Sequence, residues 1–185
     1  IEDPAVADWL AGTFDDDWHG RPQTAARKFG DALHVLSLDG RSNALAFAPL
    51  LALIGEAAKS IELVSAYPTF PFVDALAAAA RRGVAVTLYT PRANNKPIIR
   101  DYLLGEARRT GIAIRLLTGM THVKAALIDG EVLVAGSSNF DFVSNRANAE
   151  YVATIRDPGL IADFTARLLE PARTGASEPE AGDHS

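Results

Sequence analysis

Apolar positions recur along the chain first with a helical period and then in short alternating runs, and that order sets out the fold. Val6, Leu10 and Phe14 fall on one face of residues 4–18, with Asp3 placed to cap the helix and Pro4 at its first position. Residues 19–30, with Gly20, Pro22 and Arg27-Lys28, read as a connector. Residues 33–38 alternate and end at Asp39-Gly40, a strand with its turn. A helix is predicted over 45–60 from Leu50, Leu51, Ile54 and Ala58, then a strand over 61–66. An alanine-rich helix over 73–82 ends at Gly83 and a strand follows over 84–89. A helix over 98–110 stops at Gly111, and 112–117 is the next strand. Strands alternating with helices of this length predict an α/β fold, with a largely parallel sheet covered on both faces. Residues 174–185 lack apolar periodicity and read as a flexible tail.

An echo links the two ends of the chain. Ile1-Glu2-Asp3-Pro4 recurs as Ile155-Arg156-Asp157-Pro158, and Val6, Leu10 and Phe14 fall opposite Leu160, Phe164 and Leu168 at the same offset of 154. Ile-x-Asp-Pro is on one reading only a common strand-to-helix cap. On the other, residues 1–18 are the last helix of an earlier copy of the module. The second reading also accounts for a start at Ile1-Glu2-Asp3, with neither an initiator Met nor a basic, apolar leader. The predicted organisation is therefore 1–30 as the terminal helix of a preceding repeat plus linker, 31–172 as one domain, and 173–185 as tail.

Composition narrows the chemistry. With no cysteine, thiol nucleophiles and thiolate metal sites are excluded, and the four histidines (His19, His34, His122, His184) form no local ligand pair. No apolar run approaches the roughly 18 residues that span a bilayer. A net charge of -5 weighs mildly against nonspecific nucleic-acid binding, although a local basic groove survives a negative total.

The chemistry gathers in residues 122–139. Strand-like runs at 123–128 and 131–135 flank Asp129-Gly130, a pair suited to a two-residue turn with positive φ at both positions. That turn sets an expected register in which Ile128 faces Glu131, Lys124 faces Ala135 and His122 faces Ser137. Side chains alternate, so His122, Lys124, Ser137 and Asn139 are expected on one face at the open end of the hairpin. An imidazole titrating near pH 6.5 can attack phosphorus or shuttle a proton. Lys124 supplies a cation, and Ser137 and Asn139 are donors for phosphoryl oxygens. Glu150, on a strand expected over 149–155, is the carboxylate best placed to orient the imidazole. Asp129 before a glycine is also what a tight turn wants. Gly136 suggests close backbone approach. The aromatic segment Tyr67-Pro68-Thr69-Phe70-Pro71-Phe72 follows a strand at the carboxyl end of the sheet, fit either to wall a pocket or to pack under a loop. Arg92 and Lys96 are further candidates for a positive field.

The pattern H-x-K-x4-D at His122, Lys124 and Asp129, followed by G-S-x-N at Gly136, Ser137 and Asn139, resembles the "HKD" signature of the phospholipase D superfamily. Ser144 and Asn148-Ala149-Glu150 are similar to the family's downstream serine and glutamate, and Ala78-Ala79-Ala80-Arg81-Arg82-Gly83-Val84 is similar to a helix-to-strand step of bacterial members. The chain looks like the C-terminal half of a two-HKD bacterial phospholipase D or cardiolipin-synthase-like protein. The resemblance implies an α-β-α sandwich with a central mixed sheet. It also implies a catalytic set of His122, Lys124, Asp129 and Glu150, with Lys124, Ser137 and Asn139 binding substrate phosphate. No metal or other cofactor is required. One histidine of a pair attacks the phosphodiester to give a phosphohistidine, the second protonates the leaving alcohol, and water or another alcohol releases the product. His122 can fill either role.

The family builds its site from two HKD motifs, and this chain holds one, because neither His19 nor His34 has a lysine two residues on. The implied partner is a second HKD half, either an N-terminal half of the same protein or a homodimer mate. At Val143 many relatives carry an arginine, so a substrate contact is missing there. Expected is a phosphodiesterase or phosphatidyltransferase acting on phospholipids, a hydrolase or transferase active only with the second half. An HKD-type nuclease cleaving DNA or RNA, or an inert half that binds substrate or partner without turnover, are the alternatives. Such a fragment is expected in the cytoplasm or in peripheral contact with a membrane, with secretion as the alternative.

Overall fold

A computed structural model describes residues 3–180. Ile1, Glu2 and residues 181–185 lie outside the described residues, and with them the first part of the Ile-x-Asp-Pro echo. The chain runs α1 (Pro4–Trp18), β1 (Ala25–Phe29), β2 (Leu33–Asp39), α2 (Asn43–Ala46), α3 (Ala48–Glu56), β3 (Ser60–Val64), α4 (Phe72–Arg81), β4 (Ala85–Pro91), α5 (Pro97–Thr110) and β5 (Ala113–Leu117). It continues through β6 (Ala125–Ile128), β7 (Val132–Gly136), α6 (Phe142–Arg146), β8 (Ala149–Ile155) and α7 (Pro158–Phe164). A π-helical turn (Thr165–Leu169), α8 (Glu170–Gly175) and β9 (Ala176–Ser177) complete it.

Among the described residues the strands form one nine-stranded sheet in the order β1-β2-β8-β7-β6-β3-β4-β5-β9. Only β3, β4 and β5 are parallel, because α4 and α5 cross over between them; every other pairing is antiparallel. The sheet is therefore mixed, and the largely parallel reading holds for β3, β4 and β5 alone.

Alternation along the strands makes two cores. Leu63, Leu88, Ala126, Val134 and Val152 face the layer of α3, α4 and α5. Val35, Val64, Leu127, Leu133 and Ile155 face Val6 of α1 and Ile161, Phe164 and Leu169 of the closing helices. The result is a helix-sheet-helix sandwich. No helix among the described residues is long and apolar enough to cross a membrane.

Several boundaries differ from the sequence reading. Ala25–Phe29 is an edge strand rather than a connector, paired from Ala25↔Ser37 to Phe29↔Leu33. Its side chains are mostly exposed, so no apolar pattern announces it. It belongs to the domain, and α1 is tied in as well, with Trp9 edge-on to Phe29 at 6.0 Å and Thr13 Oγ1 3.0 Å from the Tyr151 hydroxyl. The helix expected over 45–60 breaks at Phe47, because Pro49 opens α3 and has no N–H to continue an earlier turn. The start of the expected tail is folded: β9 pairs with β5, and Arg115 meets Glu178 at 2.6 Å. Both halves of the echo cap alike, Asp3 accepting from the Ala5 N–H and Asp157 from the Leu160 N–H, each at 2.8 Å.

Candidate active site

β6 and β7 are buried at the centre of the sheet, and their open end lies beside the carboxyl end of β3, with Val64 paired to Ala125 and Ala125 to Ala135. The turn forms as its sequence demands, with Asp129 at φ 55° and Gly130 at φ 73°, and the Glu131 N–H donates to the Ile128 carbonyl at 3.0 Å. The register beyond it is one residue out from the expected one. Ile128 pairs with Val132, and Glu131 is left over as an extra residue reaching Lys59 at 3.0 Å. This slip turns β7 over, as a one-residue shift must. Lys124 therefore stands opposite Gly136, whose N–H donates to the Lys124 carbonyl at 3.2 Å. Gly136 is required there, because a Cβ would lie 2.1 Å from the Tyr151 carbonyl oxygen.

His122 is exposed at the hairpin mouth. The Lys124 ammonium donates to the His122 carbonyl at 3.0 Å and approaches its Nδ1 at 3.3 Å. Lysine only donates, so Nδ1 is the acceptor. Burial holds the Lys124 pKa below the ordinary lysine value, against the opposite pull of Glu150 and Asp141.

Glu150 is 5% exposed and accepts from Ser137 Oγ, from Ser144 Oγ at 2.7 Å and from Asn148 Nδ2 at 3.2 Å. Its hydrogen bonds leave His122 out, so within this chain it does not orient the imidazole. Ser137 donates its one proton to Glu150 and accepts the Tyr151 N–H at 3.0 Å. It is therefore not placed as a phosphate donor. Asn139 is held by its backbone, its carbonyl accepting from Ser65 Oγ at 2.8 Å and its N–H donating to Ser144 Oγ at 3.3 Å. Its carboxamide has no hydrogen-bond partner among the described residues.

Asp129 lies at the opposite end of β6 from Lys124. Its carboxylate accepts from the N–H groups of Ala58, Lys59 and Ser60 at 2.9, 2.7 and 2.9 Å. Burial pushes its pKa up, but these three bonds and the Lys59 charge outweigh burial and leave it below the usual carboxylate range. It pins the hairpin to the start of β3 and does not share the site of His122 and Lys124.

Two supports escaped the sequence. Asn43 is 1% exposed and donates to the Ser144 and Asn148 carbonyls at 2.7 Å each, fixing the turn that delivers Glu150. Ser65 holds Asn139 as described. Neither stands in a spacing that marks it. The aromatic segment divides: Phe72 is buried edge-on to Phe47 and Phe140, whereas Phe70 is exposed and meets Phe142 at 6.2 Å. Arg92 donates to Ser177 Oγ at 2.7 Å, and the Lys96 ammonium sits 4.8 Å from the centre of the Tyr67 ring.

Residues 50–170 match the family model described as "Cardiolipin synthase, PLD-like domain". The chain belongs to the phospholipase D-like domain family. It is 29% identical to cardiolipin synthase A of Serratia proteamaculans over 121 residues, which is 62% of this chain but only 25% of that protein. It thus spans about a quarter of the relative's length. Nuc of Salmonella typhimurium, a phospholipase D family member, superposes with a TM-score of 0.67 at 20% identity, over 86% of this chain and 100% of that one. The phosphatidylserine synthase of Haemophilus influenzae gives 0.67 at 17% identity, over 84% of this chain and 42% of that one. These two likenesses establish the mixed α-β-α fold. As a phospholipase D-like domain, the chain falls in a superfamily of phosphodiesterases and phosphatidyltransferases whose members pair two half-sites.

Proposed function

We propose that this chain supplies one half-site of a phosphodiesterase or phosphatidyltransferase that acts on phospholipids. The observation carrying this is the hairpin mouth, where the partly buried Lys124 ammonium donates to the His122 carbonyl at 3.0 Å and approaches the exposed imidazole at 3.3 Å. His122 is the nucleophile or the general acid/base, and Lys124 and Asn139 hold the non-bridging phosphoryl oxygens. In attack, the N–P bond forms as the P–O bond to the leaving alcohol breaks, and the alkoxide takes a proton from the other half's histidine. Water or an acceptor alcohol then cleaves the N–P bond and gives its proton back.

With Nδ1 accepting from Lys124, the neutral imidazole of this chain carries its proton on Nε2; attack through Nε2 requires that proton on Nδ1 instead, with an acceptor to hold it. This chain's Glu150 is engaged elsewhere, which supports a second half that completes the site. Phe14 and Trp18 of α1, stacked at 6.1 Å and 63% and 76% exposed, offer such a half an apolar face to cover. The lipid preference is supported by relatives named as lipid synthases and by the net charge of -5.

The test is headgroup release from phosphatidylglycerol by the chain assembled with a second HKD half, beside single-stranded DNA as competing substrate. Lipid turnover that vanishes in His122→Ala is expected. DNA cleavage without lipid turnover overturns the lipid reading in favour of a nuclease, and turnover that survives His122→Ala makes this half inert.

A further inference from the structure

Three apolar side chains, one on the loop before α4 and two at the start of α6, stand in solvent at the catalytic end of the sheet. Phe70, Phe142 and Val143 are 46%, 49% and 51% exposed, and the two rings meet at 6.2 Å. Single exposed apolar residues need no explanation, but a contiguous group beside a reaction site does. Their exposure is built in. The Thr69 N–H donates to the Phe140 carbonyl at 3.0 Å, and the Phe142 N–H donates to Thr69 Oγ1 at 3.0 Å, so each loop latches the other. The latch is anchored below, where Phe140 packs edge-on against buried Phe72 at 5.6 Å. The core thus lies two residues from Phe70, yet its ring points out.

One cation lies on the group itself and a second on the segment leading to Phe70. The Arg146 guanidinium sits 5.8 Å from the centre of the Phe142 ring, and Lys96 pairs with Tyr67 on the neighbouring loop. Exposed apolar rings with a long cationic side chain against them suit the boundary between lipid headgroups and acyl chains. Ser144, in the same short helix as Phe142, bonds Glu150, so this surface is mechanically joined to the site.

We infer that the Phe70–Phe142–Val143 knuckle seats the catalytic end on an anionic lipid surface, an inference that rests on the lipid-directed reading above. Its test needs no turnover. The His122→Ala chain is sedimented with vesicles of equal parts phosphatidylcholine and phosphatidylglycerol, and with phosphatidylcholine alone. Binding to the mixed vesicles is expected, falling about tenfold or more when Phe70→Ser and Phe142→Ser are combined. Arg146→Ala lowers binding about fivefold on the anionic vesicles and leaves binding to phosphatidylcholine unaltered. Val143→Trp strengthens binding, which keeps the inference testable if the double variant fails to fold. Absence of vesicle binding, or equal binding by the variants, overturns it. So does a finding that the double variant instead loses self-association or single-stranded DNA binding. Because binding is read without chemistry, failure of lipid cleavage leaves these results interpretable on their own.

Discussion

The Ser137 hydroxyl gives its proton to Glu150 and takes the Tyr151 N–H at 3.0 Å, so it bridges the buried carboxylate to the strand beside it. Glu150 leaves His122 out, but its charge pulls on Lys124, so a residue in that position acts through the carboxylate on the ammonium. Ser137→Ala in the assembled enzyme is expected to lower kcat by roughly tenfold with little change in KM, the pattern of lost positioning. A rise in KM at constant kcat would instead mean that Ser137 binds substrate.

Asp129 is a structural anchor at the far end of the hairpin. Asp129→Ala is expected to cost about 1–3 kcal/mol and lower Tm by roughly 2–10 °C. The folded-state pKa is depressed, so this stabilisation is fully present above the usual carboxylate range and is lost as pH falls through the folded value. Thermal unfolding of the two proteins should therefore converge in acid. Activity should fall only in step with the folded fraction.

Burial lowers the Lys124 pKa, so the ammonium is lost at a lower pH than that of a free lysine. Phosphate binding should weaken on the alkaline side accordingly, and Lys124→Arg should move that limb upward. The same shift means that the charged side chain disfavours folding at neutral pH. Lys124→Met should raise Tm while abolishing turnover, a trade of stability for function that calorimetry and an activity assay can read together.

Gly136 sits against the backbone of β8, with Val152 Cα 2.9 Å from where a Cβ would stand. Backbone cannot yield as a flexible side chain can. Gly136→Ala is expected to cost about 2 kcal/mol or more and to separate Ser137 from Glu150, visible as a lower Tm with lost activity.

In the proposed mechanism Lys124 supplies the positive charge that other phosphoryl-transfer sites take from a metal cation. Turnover by the assembled enzyme should therefore persist in a chelator, and a rate restored by a divalent ion would contradict the reading.

Much of the fold was legible because its signals are local. The helix over 4–18 and the strand over 149–155 appear as Pro4–Trp18 and Ala149–Ile155, each bounded by a cap or a change of period. The hairpin and its positive-φ turn were equally plain. The slip after Glu131 was not, because Asp129 and Glu131 are drawn toward residues 58–60, some 70 positions away in sequence. That slip turns Ser137 to the carboxylate rather than to the phosphate that its spacing suggests. β1 escaped because an exposed edge strand has no apolar stripe, and β9 because two residues cannot show a period. Asn43 and Ser65 support the site through contacts with residues 139–148, which no spacing along the chain can reveal.

The margins of the sheet bear on how a second half can attach. At one edge β1 offers Arg27 and Lys28 to solvent, and at the other β9 lies over the end of β5, clamped by Arg115 and Glu178. Charged and capped borders discourage strand-by-strand growth. Two such halves are thus steered away from fusing into one continuous ribbon of strands and toward meeting through helices and loops. In the proposed pairing, each can then keep its own hairpin mouth open to the other's histidine.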